Sequence, residues 1–150
     1  MSSFDLSGRT AVVTGASRGL GNFMSRALAR AGASLVITAR DARDCAETID
    51  QIDASGGTAR AYSLDIRSES SIRTFGHAVT EEIGAVNILV NNAGGGLRPP
   101  GEHSADELFD FTMEINLMSA VYCCQVASAP MKRQGSGKIV NISSLAGLTG

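Results

Sequence analysis

The sequence has no run of like charges, no long apolar stretch and too few cysteines for a disulfide framework. Thirteen Lys+Arg stand against fifteen Asp+Glu, and the resulting pI near 5.6 comes without any clustered cations. No electrostatic footprint for nucleic acid is present. The three cysteines are Cys45, Cys123 and Cys124; an odd number with two adjacent fits free thiols in a reducing compartment. His77 and His103 are far apart, and no set of His, Cys, Asp and Glu has metal-ligand spacing, so no metal is expected. No apolar run approaches the ~18 residues of a membrane span. Met1 to Ser7 lacks the basic start of a secretory leader. A soluble, unprocessed, cytoplasmic protein is expected, with neither nucleic acid nor membrane as partner.

What is present is ordered. At 150 residues with 43% hydrophobic content, the chain is sized for one domain, residues 1–150, or part of one. Its glycines fall at the ends of periodic segments. Arg9 to Thr14 is a β-branched run that ends at glycine. Gly19 to Ala31 then carries apolar residues at Leu20, Phe23, Met24, Ala27, Leu28 and Ala31, a helical spacing. The cycle repeats with a strand at Ser34 to Ala39, a helix at Ala42 to Ala54 closed by Gly56 and Gly57, a strand at Thr58 to Leu64 and a helix from Ser68 to Ile83. A fourth strand begins at Ile88 to Val90. A loop from Gly94 to Gly101, helices at Ser104 to Phe111 and Met113 to Arg133, and a strand at Lys138 to Ile142 follow. Buried strands alternating with helices predict an α/β fold, a Rossmann-type doubly wound parallel sheet in the order 3-2-1-4-5.

Thr14-Gly15-Ala16-Ser17-Arg18-Gly19-Leu20-Gly21 occupies the first strand-to-helix junction, where backbone N–H groups and the helix dipole face an incoming anion. A pyrophosphate fits there. Gly15 allows the tight turn, Gly19 removes a side chain from the path of the phosphates, and Gly21 lets the helix approach the strand.

This T-G-x-x-x-G-x-G turn resembles the signature of the short-chain dehydrogenase/reductase family. Asn91-Asn92-Ala93-Gly94 after the fourth strand is similar to the family's N-N-A-G. Asn116 stands where the family carries a catalytic-site asparagine, and Ser144 where it places its catalytic serine, just before Leu145-Ala146-Gly147. The resemblance implies an oxidoreductase acting on a carbonyl/alcohol pair, with 3-oxoacyl thioesters the favoured substrate class. Polyol or sugar-acid dehydrogenation, or a non-catalytic nucleotide-binding module, are the alternatives. It also implies homo-oligomers paired through the helix that contains Cys123 and Cys124, whose thiols themselves read as ordinary packing.

In a dinucleotide fold, an acid near the end of the second strand binds the ribose of NAD, whereas an Arg accommodates the 2′-phosphate of NADP. This strand ends at Ala39 followed by Arg40, and Arg18 can approach from the glycine turn. NADP(H) is the expected cofactor. By the same resemblance, Asp65 accepts from the adenine amino group with Ile66 beside the ring; the bland reading of Asp65 is a chain turn. Asn92, Ala93 and Gly94 are expected to pass the ribose, and Asn91 to tie strands together.

Carbonyl reduction needs a proton donor beside the developing alkoxide. The family uses a Tyr with a Lys four residues on, a Ser that orients the carbonyl and an Asn that maintains a proton path. Ser144 and Asn116 match the last two roles. Tyr62 and Tyr122 are followed four residues later by Ile66 and Val126, so packing accounts for both. The chain accordingly reads as truncated after the fifth strand, inactive alone, and marginally stable because the edge of that strand is open.

Overall fold

The structure, a computed structural model, describes residues 4–96 and 101–144. Five strands form one parallel sheet: β1 (Thr10–Val13), β2 (Ser34–Ala39), β3 (Thr58–Ser63), β4 (Ile88–Asn91) and β5 (Lys138–Asn141), ordered β3-β2-β1-β4-β5. All four pairings are parallel, with Val12 opposite both Val36 and Leu89. The predicted order is therefore the observed one. Parallel strands require crossovers, and the helices that make them cover both faces.

Alternate residues of the central strands supply the two cores. Ala11, Val13, Leu35 and Ile37 meet Ala29 of α1 (Gly19–Arg30) and Ile52 of α2 (Ala46–Asp53) on one face. Val12, Val36 and Leu89 meet Ile72 and Val79 of α3 (Glu69–Glu82) and Cys123 and Met131 of α5 (Ser119–Arg133) on the other. Ser68 caps α3 through the Ser71 N–H, as expected from its position. A capping box between Ser104 and Glu107 starts α4 (Ala105–Met113). At the outer edge, Ile139 and Val140 of β5 are about a third to a half exposed.

Three details differ from the sequence expectation. The buried face of α1 runs through Gly21, Ser25 and Ala29, while Leu20 and Phe23 point outward at 66% and 63% exposure. Met24 and Leu28 do pack against the core, half-buried, but small residues let the helix lie close to the sheet, so the centre of its buried stripe is shifted from the one that bulk hydrophobicity suggests. The segment expected as one helix from Ala42 opens with a 3₁₀ turn over Ala42–Cys45, capped by Asp41. Between α4 and α5 the chain forms a π-helical turn, Glu114–Met118, with no break. Asn116 Nδ2 donates to the Thr112 carbonyl at 3.0 Å, occupying the acceptor that an α-helix would give to the Asn116 backbone. The turn widens at that point.

Candidate functional site

Because every pairing is parallel, the residues that follow the strands emerge along one edge of the sheet. The glycine turn follows β1, Arg40 follows β2, Asp65 follows β3, Asn92 to Gly94 follow β4, and Ser144 lies three residues beyond β5. The topology gathers nearly all the residues singled out from the sequence.

The turn is held by side chains that take its carbonyls. Asn92 Nδ2 donates to the carbonyl oxygens of Thr14 at 2.9 Å and Gly15 at 3.0 Å. Thr48 Oγ1 donates to the Ala16 carbonyl at 2.9 Å, and the Ala16 N–H donates to the Thr38 carbonyl at 2.8 Å. Gly15 and Gly19 have positive φ of 66° and 59°. A Cβ on Gly15 would come 3.0 Å from Ala93; one on Gly21 would collide with the Gly15 carbonyl and sit 2.7 Å from Asn92 Nδ2. A Cβ on Gly19 would meet nothing within 4 Å. Glycine there leaves room in front of the helix start, whereas Gly15 and Gly21 close the turn against its neighbours.

That helix start differs from the other described helical segments entered from a loop, since α2, the π-helical turn and α5 each continue directly from a preceding helical turn. Ser68, Ser104 and Asp41 cap their helices with side-chain oxygens. Arg18, at the start of α1, does not, and the first turn of α1 has no acid. Its N–H groups and positive dipole end remain directed at the space beside Gly19, an arrangement that fits a phosphate group.

Arg18 and Arg40 are exposed, and neither makes an ion pair among the described residues. Asp41 does not neutralise Arg40: it is bound by the Arg43 guanidinium and backbone N–H, whose hydrogen bonds hold its carboxyl down at about 2. Ala39 is 8% exposed and brings no charge to the end of β2.

Asp65 turns the chain, accepting at Oδ1 from the Arg67 N–H at 3.0 Å. Asn91 joins strands as expected, donating to Asn141 Oδ1 of β5 at 2.8 Å, with Cys124 Sγ at 3.3 Å. Its own Oδ1 is buried without a partner among the described residues. Asn116 clasps the loop after β4: its Oδ1 accepts from the Gly95 N–H at 2.8 Å and its Nδ2 donates to the Gly95 carbonyl at 3.1 Å. Ser144 is exposed beyond β5. Leu145 to Gly147 lie outside the described residues, as do residues 97–100 of the loop after Asn92.

The tyrosines sit in packing environments. Tyr62 donates to Glu82 at 2.7 Å and stands edge-on to Phe75; Tyr122 packs against the second core. Burial pushes the Cys123 thiol up to about 11. Among the described residues no group of His, Cys, Asp and Glu could hold a metal ion, and no helix is long and apolar enough to cross a membrane.

Sequence reasoning gave no role to Thr14 or Thr48. Thr14 Oγ1 accepts from the N–H groups of Asn92 and Ala93, each at 3.0 Å. Its place beside Gly15 was the available signal; Thr48, inside an ordinary helical stretch, offered none.

Comparison with known proteins matches the family model for short chain dehydrogenases to residues 9–150. A rhamnolipids biosynthesis 3-oxoacyl-[acyl-carrier-protein] reductase of Pseudomonas aeruginosa is 35% identical over 97% of the chain and 58% of its own length. A 7α-hydroxysteroid dehydrogenase solved with NADH and 7-oxo glycochenodeoxycholic acid superposes with a TM-score of 0.89 at 33% identity, over 98% of this chain and 57% of that one. A metagenomic short-chain oxidoreductase solved with NADP superposes with a TM-score of 0.87 at 37% identity, over 97% of this chain and 66% of that one. The chain spans about half the length of the curated relatives it matches.

Proposed function

The chain belongs to the short chain dehydrogenase family, and from that premise we propose that it is the cofactor-binding part of an NADP(H)-dependent oxidoreductase acting on a carbonyl/alcohol pair. The observation that carries the reading is the uncapped start of α1 beside the open space at Gly19, with two exposed guanidiniums at the same sheet edge that pair with no acid among the described residues. The helix start and the Ser17 to Gly21 backbone would hold the pyrophosphate, with Gly15 and Ala16 shaping the turn. Arg40 and Arg18 would meet the 2′-phosphate with charge-assisted hydrogen bonds, and an uncharged Ala39 leaves that phosphate unopposed. Asp65 and Ile66 would face the adenine, and Asn92, Ala93 and Gly94 the ribose. Asp65 retains one carboxylate oxygen outside its turn for that contact.

When bound, the cofactor supplies hydride to the substrate carbon. Ser144, at the end of β5, would orient the carbonyl oxygen. Asn116 would hold the loop after β4 through Gly95 and support the proton path. Neither Tyr62 nor Tyr122 stands as proton donor, so the 150 residues alone would bind cofactor without turnover. The favoured substrate class is a 3-oxoacyl thioester, in keeping with the similarity to the Pseudomonas aeruginosa reductase. The complete protein would be a cytoplasmic homo-oligomer paired through α5, where Leu117, Met118 and Val121 are 47%, 36% and 36% exposed on and just before the helix.

The test is fluorescence titration of the complete protein with NADPH and NADH, repeated on Arg40→Ala. NADPH should bind tighter by about tenfold or more, and the substitution should remove most of that margin. Equal affinities in the parent protein would overturn the phosphate reading.

A further inference from the structure

One buried hydroxyl ties the glycine turn to α2. Thr48 is fully buried on α2, the helix that follows the Arg40 segment. Its Oγ1 donates to the Ala16 carbonyl at 2.9 Å and accepts from Asn22 Nδ2 at 2.8 Å; the same Asn22 nitrogen reaches Gln51 Oε1 at 3.0 Å. Asn22 closes the first turn of α1 and Gln51 lies about one turn beyond Thr48, so the network joins α1, α2 and the glycine turn. The 3₁₀ turn that leads into α2 is tied to the end of β3, because the Ala42 N–H donates to Ser63 Oγ at 3.0 Å.

The position of the bond gives it consequence. Ala16 lies between Gly15 and the start of α1, and its N–H is fixed to β2 through Thr38. With the carbonyl taken by Thr48, the two peptide groups that flank the Ala16 Cα are each held by a hydrogen bond. The oxygens of Thr14, Gly15 and Ala16 are then all engaged by side-chain donors. Their negative ends are kept away from the anion space, while the N–H groups that follow remain directed toward it. Without Thr48 the turn would have to be ordered when the ligand binds, and affinity would fall accordingly.

We propose that Thr48 is a positioning residue for dinucleotide binding: held by Asn22, its hydroxyl sets the glycine turn from α2, the helix that follows the Arg40 segment and its 3₁₀ turn. The inference rests on the cofactor reading above and concerns the pyrophosphate half of the ligand. Two probes separate the halves: NADPH, and adenosine 2′-monophosphate, which keeps the 2′-phosphate and lacks the pyrophosphate.

Calorimetric titration of the complete protein and its variants tests it. Thr48→Val should weaken NADPH binding about tenfold and leave adenosine 2′-monophosphate within about twofold of the parent. Thr48→Ser, which keeps the hydroxyl, should restore NADPH affinity. Asn22→Ala, at a half-buried position, should weaken NADPH about threefold with the same selectivity, and it decides the matter if Thr48→Val does not fold. Equal losses for both probes, or unchanged NADPH affinity in these variants, would overturn the proposal. Failure of the parent protein to bind NADPH would instead overturn the cofactor reading.

Discussion

The side-chain nitrogen of Asn92 bridges two successive carbonyls of the glycine turn, 2.9 Å from that of Thr14 and 3.0 Å from that of Gly15. One amide thereby fixes the end of β1 to the end of β4. The Thr14 hydroxyl answers from the other side, accepting from the backbone of Asn92 and Ala93. A cofactor contact and a structural clamp are therefore compatible at Asn92, since the clamp uses the nitrogen alone.

Asn92→Leu should both destabilise the protein and weaken cofactor binding. Two partly buried carbonyls lose their donor, which costs about 1–3 kcal/mol. Urea unfolding with and without NADPH measures both effects: the midpoint should fall, and the shift that ligand produces should shrink. An unchanged midpoint would show that water replaces the amide at no cost.

Gly76 answers a different requirement, the close approach of α3 to α5. A Cβ at this position would overlap Val126 Cγ1. Ala would otherwise favour the helix by about 1 kcal/mol, so the sign of the result is informative. Gly76→Ala should destabilise by about 1–3 kcal/mol through overpacking. Adding Val126→Ala should recover part of the loss, seen as non-additivity in a double-mutant cycle. Stabilisation by the single substitution would mean that the helices shift apart freely.

Where the sequence was legible, one physical signal dominated. β2 is a continuous apolar run bounded by a small-residue turn and a charge, and its ends, Ser34 and Ala39, are those expected. Strand order followed from the alternation of strands and helices, because parallel connections have few solutions. The glycine turn was legible since conformation and close approach select glycine independently. The α1 face was legible only in part: Met24 and Leu28 pack against the core as expected, but small residues, not large ones, occupy the tightest contact, and Leu20 and Phe23 face outward. The π turn at Asn116 depends on a side chain competing for a backbone acceptor, which periodicity does not encode. Thr48 was invisible for a related reason: its partner, Ala16, is 32 residues away.

Ser144→Ala separates binding from chemistry. The residue lies beyond the end of β5, whereas the proposed anion space lies at the turn after β1. Cofactor affinity of the complete protein should stay within about twofold, and carbonyl reduction should fall by about a hundredfold or more. Ser143→Ala is the control, with turnover near that of the parent. The reverse pattern would transfer the role to Ser143.

Stability should decline at alkaline pH through Cys123. Burial raises its thiol from 9.0 to about 11, so the native state retains a proton that the unfolded chain releases. A group raised in the folded state contributes stability that is complete below its unfolded value and is lost as pH rises through the folded value. The loss therefore begins near pH 9 and extends toward 11, with a slope of at most about 1.4 kcal/mol per pH unit from this group. Cys45 shifts in the same direction by burial and adds to the trend. Denaturant midpoints at about pH 8.5 and about pH 10.5 measure it, and Cys123→Ala should show the smaller drop between them. The comparison uses the change with pH within each protein, so a cavity left by the shorter side chain does not enter. Equal drops in the two proteins would place the alkaline sensitivity on groups other than Cys123.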